Sequence, residues 1–383
     1  MERAAGWLLS GAVGEPEPDP VIPDYGGACL SNLMPALLGR LEAPLPAWLP
    51  PGLAEARQVV LLVLDGLGWQ QLRSRSLLAP VMNAAAVRPI SSVAPTTTAT
   101  ALTSITTGLV PAVHGVMGYR VAVDSEVMNV LRWTTASGDA RSSVPPAEFQ
   151  PLAAFRGRPV SAVTKAEFAS TGFTSAHLQG SHLRGWRVPS TLLVEVGRAV
   201  ARGEQFVYAY YDGVDKVAHE FGLGEHYEAE LSFADRLVER LAAGLPPGAA
   251  LVVTADHGQV EVGPAVLEVD RDVLDGDVVL ASGEGRFRWF HTRSGREGHL
   301  AGRLAEAYGH LAWVRTRDEM EAEGWFGGPL VGEVATRVGQ VALVAHQPVA
   351  FSDPADTGEM SLVCRHGSLT SDEVLVPLCS IVV

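Results

Sequence analysis

Continuous apolar runs recur along the chain, and each ends abruptly at acidic, histidine or glycine residues. The clearest runs are residues 58–64, 205–211 and 249–255. A run of this length is typical of a strand buried on both faces, as in a parallel sheet. Between them, apolar residues repeat every three or four positions and predict helices over residues 67–78, 189–201 and 227–245. The alternation predicts an α/β fold with a doubly wound, mostly parallel sheet and helices on both faces.

The remaining regions predict additions to this sheet. Residues 1–56 contain clustered prolines around a short helical pattern, so we expect an arm lying on the core. Residues 119–159 have poor periodicity, which predicts loops and a hairpin. Residues 260–345 break the strand–helix rhythm and predict an inserted cap, with a strand at 340–345 returning the chain to the sheet. We therefore predict a single domain over residues 1–383 that carries the arm and the cap.

The composition favours a globular protein and excludes several functional classes. The 383 residues are 47% hydrophobic and 19% charged, which allows a large core. A net charge of −14 repels polyanions, so no nucleic-acid polymer is expected as a partner. Three scattered cysteines, Cys29, Cys364 and Cys379, fit neither a disulfide framework nor a cysteine zinc site. No stretch has the features of a secretory signal or a membrane span, so we expect a cytoplasmic protein without a membrane partner. The Ala, Gly, Arg and Val bias further indicates a bacterial source.

Acidic and histidine residues follow several of the predicted strands. They are Asp65, the pair Asp215 and His219, the pair Asp256 and His257, and His366. The carboxyl ends of strands share one edge of a doubly wound sheet, so these six side chains can converge there and bind two divalent metals. The i, i+4 spacing of Asp215 and His219 places both on one face of a helical turn. Taken singly, the pair and His366 are better explained as a capping acid and surface or loop histidines.

A threonine-rich segment, residues 95–104, predicts the start of a small-residue helix near the same edge. Thr98 would lie at the helix N-terminus, where free N–H groups and the helix dipole favour a phosphate. A threonine hydroxyl becomes a nucleophile when a metal or a base takes its proton, and two metals roughly 3.5–4 Å apart can do this while holding the phosphoryl oxygens. Without the metal ligands, helix capping by Thr96, Thr97 or Thr98 is the better explanation.

Five motifs, taken in order, carry a family resemblance. They are Asp65; Pro95-Thr96-Thr97-Thr98 with Thr107-Gly108-Leu109 and His114-Gly115; Asp215-x-x-x-His219; Thr254-Ala255-Asp256-His257-Gly258; and His366-Gly367. From about residue 58 to 378 the chain resembles the alkaline phosphatase superfamily. Within it, the chain is most similar to the type I phosphodiesterase/nucleotide pyrophosphatase family.

The resemblance implies a role for each matched position. One zinc ion would be held by Asp65, Asp256 and His257, and a second one by Asp215, His219 and His366. Other divalent metals such as Mn²⁺ are alternatives to zinc. Thr98 would be the nucleophile and would form a phospho-threonine intermediate that water then hydrolyses. Asp212 competes with Asp215, and Thr97 competes with Thr98, but the spacing to His219 and to Thr107-Gly108 favours Asp215 and Thr98.

The chain departs from the family at one position close to the nucleophile. Members usually carry an asparagine three residues after it that helps to bind the phosphate, and this chain has Ala101 there. The resemblance therefore leaves the preference for nucleotide diesters open. The chain also lacks the arginine-bearing serine motif of alkaline phosphatase and the Cys/Ser-x-Pro-x-Arg motif of sulfatases.

The sequence thus predicts a zinc-dependent hydrolase of small-molecule phosphoryl esters, most similar to phosphodiesterases and nucleotide pyrophosphatases. One alternative is a phosphonate hydrolase or a phosphomutase of the same superfamily. Another is an inactive scaffold that retains the metals. No organic cofactor is predicted, and the sequence does not set the oligomeric state.

Overall fold

A computed structural model of the protein describes residues 19–356 and 362–383. Within these ranges the strands are β1 Gln58–Leu64, β2 Ala86–Ser91, β3 Arg120–Val123, β4 Glu126–Asn129, β5 Thr134–Thr135, β6 Gly138–Asp139, β7 Ser161–Lys165, β8 His182–Trp186, β9 Phe206–Tyr211, β10 Ala249–Thr254, β11 Val260–Glu261, β12 Val266–Glu268, β13 Val278–Glu284, β14 Phe287–Thr292, β15 Ala312–Thr316, β16 Val341–Ala345, β17 Ala350–Ser352, β18 Cys364–Arg365 and β19 Leu375–Val382.

The α-helices in the same ranges vary from one turn to five turns in length. They are α1 Leu30–Gly39, α2 Trp69–Ser74, α3 Pro80–Ala84, α4 Thr98–Thr107, α5 Pro111–His114, α6 Pro146–Phe149, α7 Gly172–His177, α8 Pro189–Ala201, α9 Gly213–Phe221, α10 Glu225–Ala243, α11 Arg271–Leu274, α12 Glu297–Tyr308, α13 Arg317–Ala322, α14 Glu333–Thr336 and α15 Ser371–Val374. None of them is both long enough and apolar enough to cross a membrane.

A seven-stranded sheet in the order β2-β19-β10-β1-β9-β7-β8 forms the centre of the fold. Strands β10, β1, β9, β7 and β8 are parallel neighbours, whereas β19 is antiparallel to both β10 and β2. The three central strands are buried over almost their whole length, as their continuous apolar runs predict. Helices cover the sheet, and the predicted α/β fold with a mostly parallel sheet is confirmed.

Two local predictions differ from the structure. The helix predicted over residues 67–78 is only α2, because the chain turns before the proline that begins α3. The strand predicted at residues 340–345 exists as β16, but it belongs to a separate sheet of order β13-β14-β16-β15. The chain returns to the central sheet through β19 instead, a strand that was not predicted from the sequence.

The described part of the arm, from residue 19 onward, packs on the core through α1, and residues 1–18 lie outside the described ranges. Helix α1 contacts α4 through fully buried side chains that include Leu33 and Leu37. The separate four-stranded sheet has its own apolar cluster, which includes Phe290 and Leu343. The arm thus packs on the helix that begins at Thr98, and Glu284 of β13 lines a small cavity beside Thr98.

Candidate active site

The first group of candidate ligands lies where β1 and β10, adjacent parallel strands, end. Asp65 follows β1, and Asp256 with His257 follows β10, whose Thr254 is in register with Val63. His257 Nε2 lies 3.4 Å from Asp65 Oδ1 and 3.4 Å from Asp256 Oδ2. We call these three buried residues the inner cluster. Neighbouring strand ends bring them together, as predicted from the sequence.

Backbone contacts fix the inner cluster in place. Asp256 Oδ1 accepts hydrogen bonds from the amides of Gly66 and His257, each at 3.0 Å. Gly258 allows the backbone after β10 to approach the backbone of Asp372 closely. A Cβ at this position would lie 1.9 Å from the carbonyl oxygen of Asp372. The glycine of the Asp-His-Gly motif is therefore required by a close backbone approach.

The second group lies beside the first and consists of Asp215, His219 and His366. Asp215 and His219 stand one turn apart on α9, with Asp215 Oδ1 3.2 Å from His219 Nε2. His366 Nε2 is 3.9 Å from the same carboxylate oxygen, and its ring stacks on His257 with centroids 3.6 Å apart. We call these three half-buried residues the outer cluster. All six predicted residues thus converge, in two adjacent sets of three.

Each of the three histidines is held by a hydrogen bond from Nδ1 to a main-chain carbonyl. The acceptors are Gly258 for His257 at 3.1 Å, Cys364 for His219 at 2.7 Å and Thr96 for His366 at 2.8 Å. A carbonyl only accepts, so Nδ1 carries a proton and Nε2 is the nitrogen directed towards the cluster. This arrangement is the usual one around metal-binding histidines.

The electrostatics of the inner cluster fit a bound cation. Asp65 Oδ1 and Asp256 Oδ2 are buried and have no hydrogen-bond partner among the described residues. Burial raises the pKa of both carboxyls, and for Asp65 the charges of Asp256 and Asp215 raise the pKa further. Two buried carboxylates aimed at one point are costly unless a positive charge lies between them. Carboxylate oxygens and imidazole nitrogens together are ligands that suit Zn²⁺ and related divalent metals.

The outer cluster differs because imidazoles surround its single carboxylate. Burial by itself would raise the pKa of the Asp215 carboxyl, but the neighbouring His219 and His366 hold this pKa below its ordinary value. Against the effect of its own burial, His219 has its pKa raised by Asp215. Burial and His257 lower the pKa of His366. This set also offers one carboxylate and two imidazole nitrogens to a cation, and its three ligand atoms lie within 4.8 Å of one another.

Thr98 is the first residue of α4 and is partly exposed beside these groups. Its Oγ1 is 3.1 Å from His257 Nε2, and it lines a cleft that also contains Asp215 and His219. Thr97 is buried and serves as the N-cap, accepting a hydrogen bond from the Thr100 amide at 3.3 Å. The geometry therefore gives Thr98 access to the site and gives Thr97 the capping position.

The cleft has a volume of about 930 Å³ and runs from Thr98 towards the ends of β7 and β9. Its apolar wall contains Leu102, Leu131, Phe168, Phe173, Tyr208 and Tyr210, and its cations are Arg132, Lys165 and Lys216. Asp212 also lines it and accepts a hydrogen bond from Lys165 Nζ at 2.5 Å. Asp212, the competitor of Asp215, is therefore paired with a lysine outside both clusters.

The position of Ala101 changes the expectation attached to it. Ala101 is fully buried on α4 and lines neither the cleft nor a smaller cavity on the other side of Thr98. An asparagine amide at this position would lie in the core. Ala101 therefore has no contact with the space on either side of Thr98.

Three contacts around the clusters were not predicted from the sequence. The Tyr210 hydroxyl donates a hydrogen bond to Asp65 Oδ2, and Gln259 Nε2 donates one to Asp215 Oδ1. The buried Arg286 pairs with Glu373, which also accepts a hydrogen bond from the Ser368 amide two residues after His366. Tyr210 is one apolar-strand residue among many and gives no signal, whereas a polar residue directly after the Asp-His-Gly motif could have indicated Gln259.

Comparison with known proteins places this site in a family. The model of the type I phosphodiesterase/nucleotide pyrophosphatase family matches residues 59–368. No curated protein sequence matches the chain.

Solved structures with a similar fold include an ectonucleotide pyrophosphatase/phosphodiesterase and a phosphonoacetate hydrolase. Murine ectonucleotide pyrophosphatase/phosphodiesterase 5 is 16% identical with a TM-score of 0.63, covering 84% of this chain and 87% of that chain. The same murine protein has also been solved as an inactive threonine-to-alanine variant in complex with AMP, at 15% identity over the same shares of both chains and a TM-score of 0.62. Phosphonoacetate hydrolase from Sinorhizobium meliloti 1021, in complex with phosphonoformate, is 20% identical with a TM-score of 0.63, covering 85% and 90% of the two chains. At these identities the likeness shows the fold.

The family match covers more than half of the chain and includes all six clustered residues and Thr98. The chain therefore belongs to the type I phosphodiesterase/nucleotide pyrophosphatase family, a family of metal-dependent phosphoric ester hydrolases.

Proposed function

We propose that the protein is a two-metal phosphodiesterase in which Thr98 is the nucleophile. The observation that carries this proposal is the position of the Thr98 hydroxyl, 3.1 Å from His257 Nε2 and on the wall of the cleft beside both clusters. The inner cluster would hold one divalent metal and the outer cluster the other, with Zn²⁺ as the ion that these ligands suit best. Family membership supports the reaction class.

The residues of the chain divide the chemistry between them. When bound, the two metals would favour the ionised form of the Thr98 hydroxyl and offset the negative charge of the phosphoryl oxygens. Thr98 attacks phosphorus, its O–P bond forms as the bond to the leaving oxygen breaks, and a phospho-threonine results. Water then attacks this ester and releases the phosphate product and the free hydroxyl. Thr98 starts α4, whose N-terminal amides and dipole favour the negative charge at each stage.

The cleft beside Thr98 supports a substrate larger than a simple phosphate. A volume of about 930 Å³ is within the range of cavities that enclose whole organic ligands. Its aromatic and aliphatic wall suits an apolar or planar leaving group, such as the nucleoside part of a nucleotide diester. A murine protein of the same fold is known in complex with AMP, which agrees with this substrate class.

Phosphonate hydrolysis is the second candidate because the cleft also contains cations. Lys165 lies at the end of β7, with its ammonium group 5.7 Å from the ring centre of Phe168 and 5.6 Å from that of Trp186. A carboxylate on a small phosphonate would compete with Asp212 for this ammonium group. The structural likeness to phosphonoacetate hydrolase makes this substrate worth testing beside diesters.

A substrate panel with matched variants tests the proposal. The metal-loaded protein is assayed with bis-p-nitrophenyl phosphate, p-nitrophenyl phosphate and phosphonoacetate. We expect the diester to be turned over fastest, and Thr98→Ala to lower its turnover by roughly 10⁴–10⁶-fold with unchanged metal content. Thr97→Ala removes the N-cap of the same helix, should cost about 1 kcal/mol of stability, and should keep turnover.

Three outcomes have distinct meanings. Faster release of phosphate from phosphonoacetate than of p-nitrophenol from the diester would favour the phosphonate hydrolase. Equal turnover by Thr98→Ala and wild type would exclude Thr98 as nucleophile. Absence of turnover with all three compounds, together with two bound metals, would favour the inactive scaffold.

A further inference from the structure

Gln259 is the first residue after the Asp-His-Gly motif, and its side chain reaches from the inner cluster to the outer one. Its Nε2 donates a hydrogen bond of 2.5 Å to Asp215 Oδ1, and the residue is buried. We propose that Gln259 is a positioning residue that fixes the Asp215 carboxylate and thereby sets the metal affinity of the outer cluster. This inference rests on the proposed two-metal function.

The backbone around Gln259 leaves its amide little freedom. Its main-chain carbonyl accepts a hydrogen bond of 2.6 Å from Gln71 Nε2, which ties it to α2. Gly66 lies against both partners, and a Cβ at that position would come within 2.7 Å of Gln259 Nε2 and 2.9 Å of Asp215 Cα. The glycine after Asp65 thus provides the space through which the amide reaches Asp215.

The orientation of the amide follows from its neighbours. Gln259 Oε1 is buried and has no hydrogen-bond partner among the described residues, whereas Nε2 faces a carboxylate. The flipped amide would place a carbonyl oxygen against Asp215 Oδ1, and both atoms are acceptors. Donation from Nε2 is therefore the arrangement that the site permits, and the amide carries no charge that would repel a cation.

This contact makes the orientation of Asp215 depend on the inner cluster. Gln259 is two residues from His257 and holds the oxygen that lies 3.2 Å from His219 Nε2. Asp215 itself lies on α9, which is distant in sequence from β10. Without the amide, the partners of the carboxylate among the described residues are the imidazoles of His219 and His366, on a half-buried helix face. Loss of such an outer-shell hydrogen bond typically lowers metal affinity by about 10–100-fold.

The test measures the two metal-binding steps separately. Chelator-stripped full-length protein is titrated with Zn²⁺ in competition with a chromophoric chelator, and with Co²⁺ by visible absorption. We expect Gln259→Met to leave the affinity of the tighter metal-binding step unchanged. The affinity of the weaker step, which the proposal assigns to the outer cluster, should fall by about 10–100-fold. Gln259→Ala removes the same donor and leaves the space of the side chain empty. It should show the same selective loss if the methionine variant folds poorly.

Gln58→Met is the matched control. Gln58 begins β1, at the opposite end of the strand from Asp65, and its amide likewise donates two hydrogen bonds, to Val200 and Glu204. Its substitution should leave both binding steps at their wild-type affinities. A general loss of packing in the Gln259 variants would instead weaken both steps together.

The results separate this inference from the proposed function. Two wild-type affinities in both Gln259 variants, or equal weakening of both steps, would overturn the positioning role while leaving the two-metal enzyme intact. Wild-type protein that binds fewer than two metals and turns over no ester would overturn both. Selective weakening of one step, with unchanged binding in Gln58→Met, is the expected result.

Discussion

The two clusters offer the same ligand types but are built differently. The inner cluster comes from the ends of β1 and β10, neighbours in the central sheet, and its side chains are at most 3% exposed. The outer cluster comes from α9 and the loop after β18, and its side chains are 10–18% exposed. Sheet register therefore sets one geometry, whereas contacts between distant segments set the other.

The outer cluster depends on parts of the chain outside the central sheet. His366 is pinned to the segment before α4 by its bond to the Thr96 carbonyl and by a pair of hydrogen bonds between Thr96 and Gly367. Glu373, paired with Arg286, holds the Ser368 amide at 3.0 Å. The inner cluster is thus preorganised by backbone, whereas the outer cluster depends on side-chain contacts that single substitutions can release.

The largest effect should come from removing one ligand of either cluster. Asp256→Asn and His219→Gln should each lower the metal content from two equivalents to one and reduce diester turnover by more than about 100-fold, the upper range for outer-shell changes. Metal analysis after gel filtration, with turnover assays, provides the measurement. The proposed difference predicts that a graded chelator series removes the metal of the outer cluster first, so that His219→Gln protein keeps the tighter ion.

Removal of the metal of the inner cluster before that of the outer cluster would contradict the proposed difference between them. A chelator that extracts the tighter ion equally from Asp256→Asn and His219→Gln would show that burial and register do not distinguish the clusters. Both variants should have far-UV circular dichroism spectra like that of the wild type, since neither side chain contributes to the apolar core.

The next largest effect concerns the buried ion pair behind His366. Arg286 donates to both oxygens of Glu373 at 2.8 Å, and both side chains are fully buried. Arg286→Met leaves the carboxylate buried and unpaired, which should cost about 3–5 kcal/mol in the free energy of unfolding. Urea unfolding measures this loss, and metal titration should show weaker binding in the outer cluster alone.

A double variant separates stability from positioning. Arg286→Met combined with Glu373→Leu removes both charges and should recover much of the lost stability. It cannot restore the bond to the Ser368 amide, so the weaker metal step should persist. Recovery of both properties would mean that the pair acts on stability alone.

The sequence predicted the elements of the site that depend on local signals. Asp65 and Asp256 follow apolar strands that share one sheet edge, and the i, i+4 spacing joins Asp215 to His219 on a helix. Both conclusions need only chain neighbours and the general rule that parallel strand ends meet at one edge. The structure brings all these residues together.

Long-range contacts were beyond the reach of the same reasoning. Strand β19 has an apolar pattern, but its antiparallel place between β10 and β2 is decided by packing in three dimensions. Likewise, nothing local shows that Tyr210 meets Asp65 or that Ala101 faces the core. The signal for the inner cluster was therefore stronger than the signal for whatever binds the substrate.

In metal-free protein, replacing a carboxylate by an amide should change the free energy of unfolding in opposite directions in the two clusters. Burial and neighbouring carboxylates raise the pKa of Asp65 above its ordinary value of 3.8, so its ionised form opposes folding at pH 7. Imidazoles lower the pKa of Asp215, so its ionised form favours folding there. Asp65→Asn should therefore stabilise, and Asp215→Asn destabilise, by about 1–3 kcal/mol each in thermal unfolding.

The pH dependence gives these substitutions a second, independent sign. With a raised pKa in the folded state, Asp65 contributes less stability as pH rises from its ordinary value towards the folded value, and Asp65→Asn should remove that slope. The contribution of Asp215 is present above its ordinary pKa and is lost as pH falls below it, so the effect of Asp215→Asn should shrink below about pH 4. Shifts of the same sign for both variants at pH 7 would contradict the electrostatic difference between the clusters.

The smallest effect expected is that of Tyr210→Phe. This substitution removes the hydroxyl that holds Asp65 of the inner cluster. Tyr210 lies on β9 in register with Val63 and donates to Asp65 Oδ2, as Gln259 donates to Asp215. We expect about tenfold weaker binding in the tighter metal step, since the sheet still fixes Asp65. Tyr208→Phe is the control, because Tyr208 lines the same cleft and its hydroxyl has no hydrogen-bond partner among the described residues. If Tyr210→Phe weakened the other step, or if Tyr208→Phe had an equal effect, the hydroxyl would not act through Asp65, and the two clusters would share one supporting network.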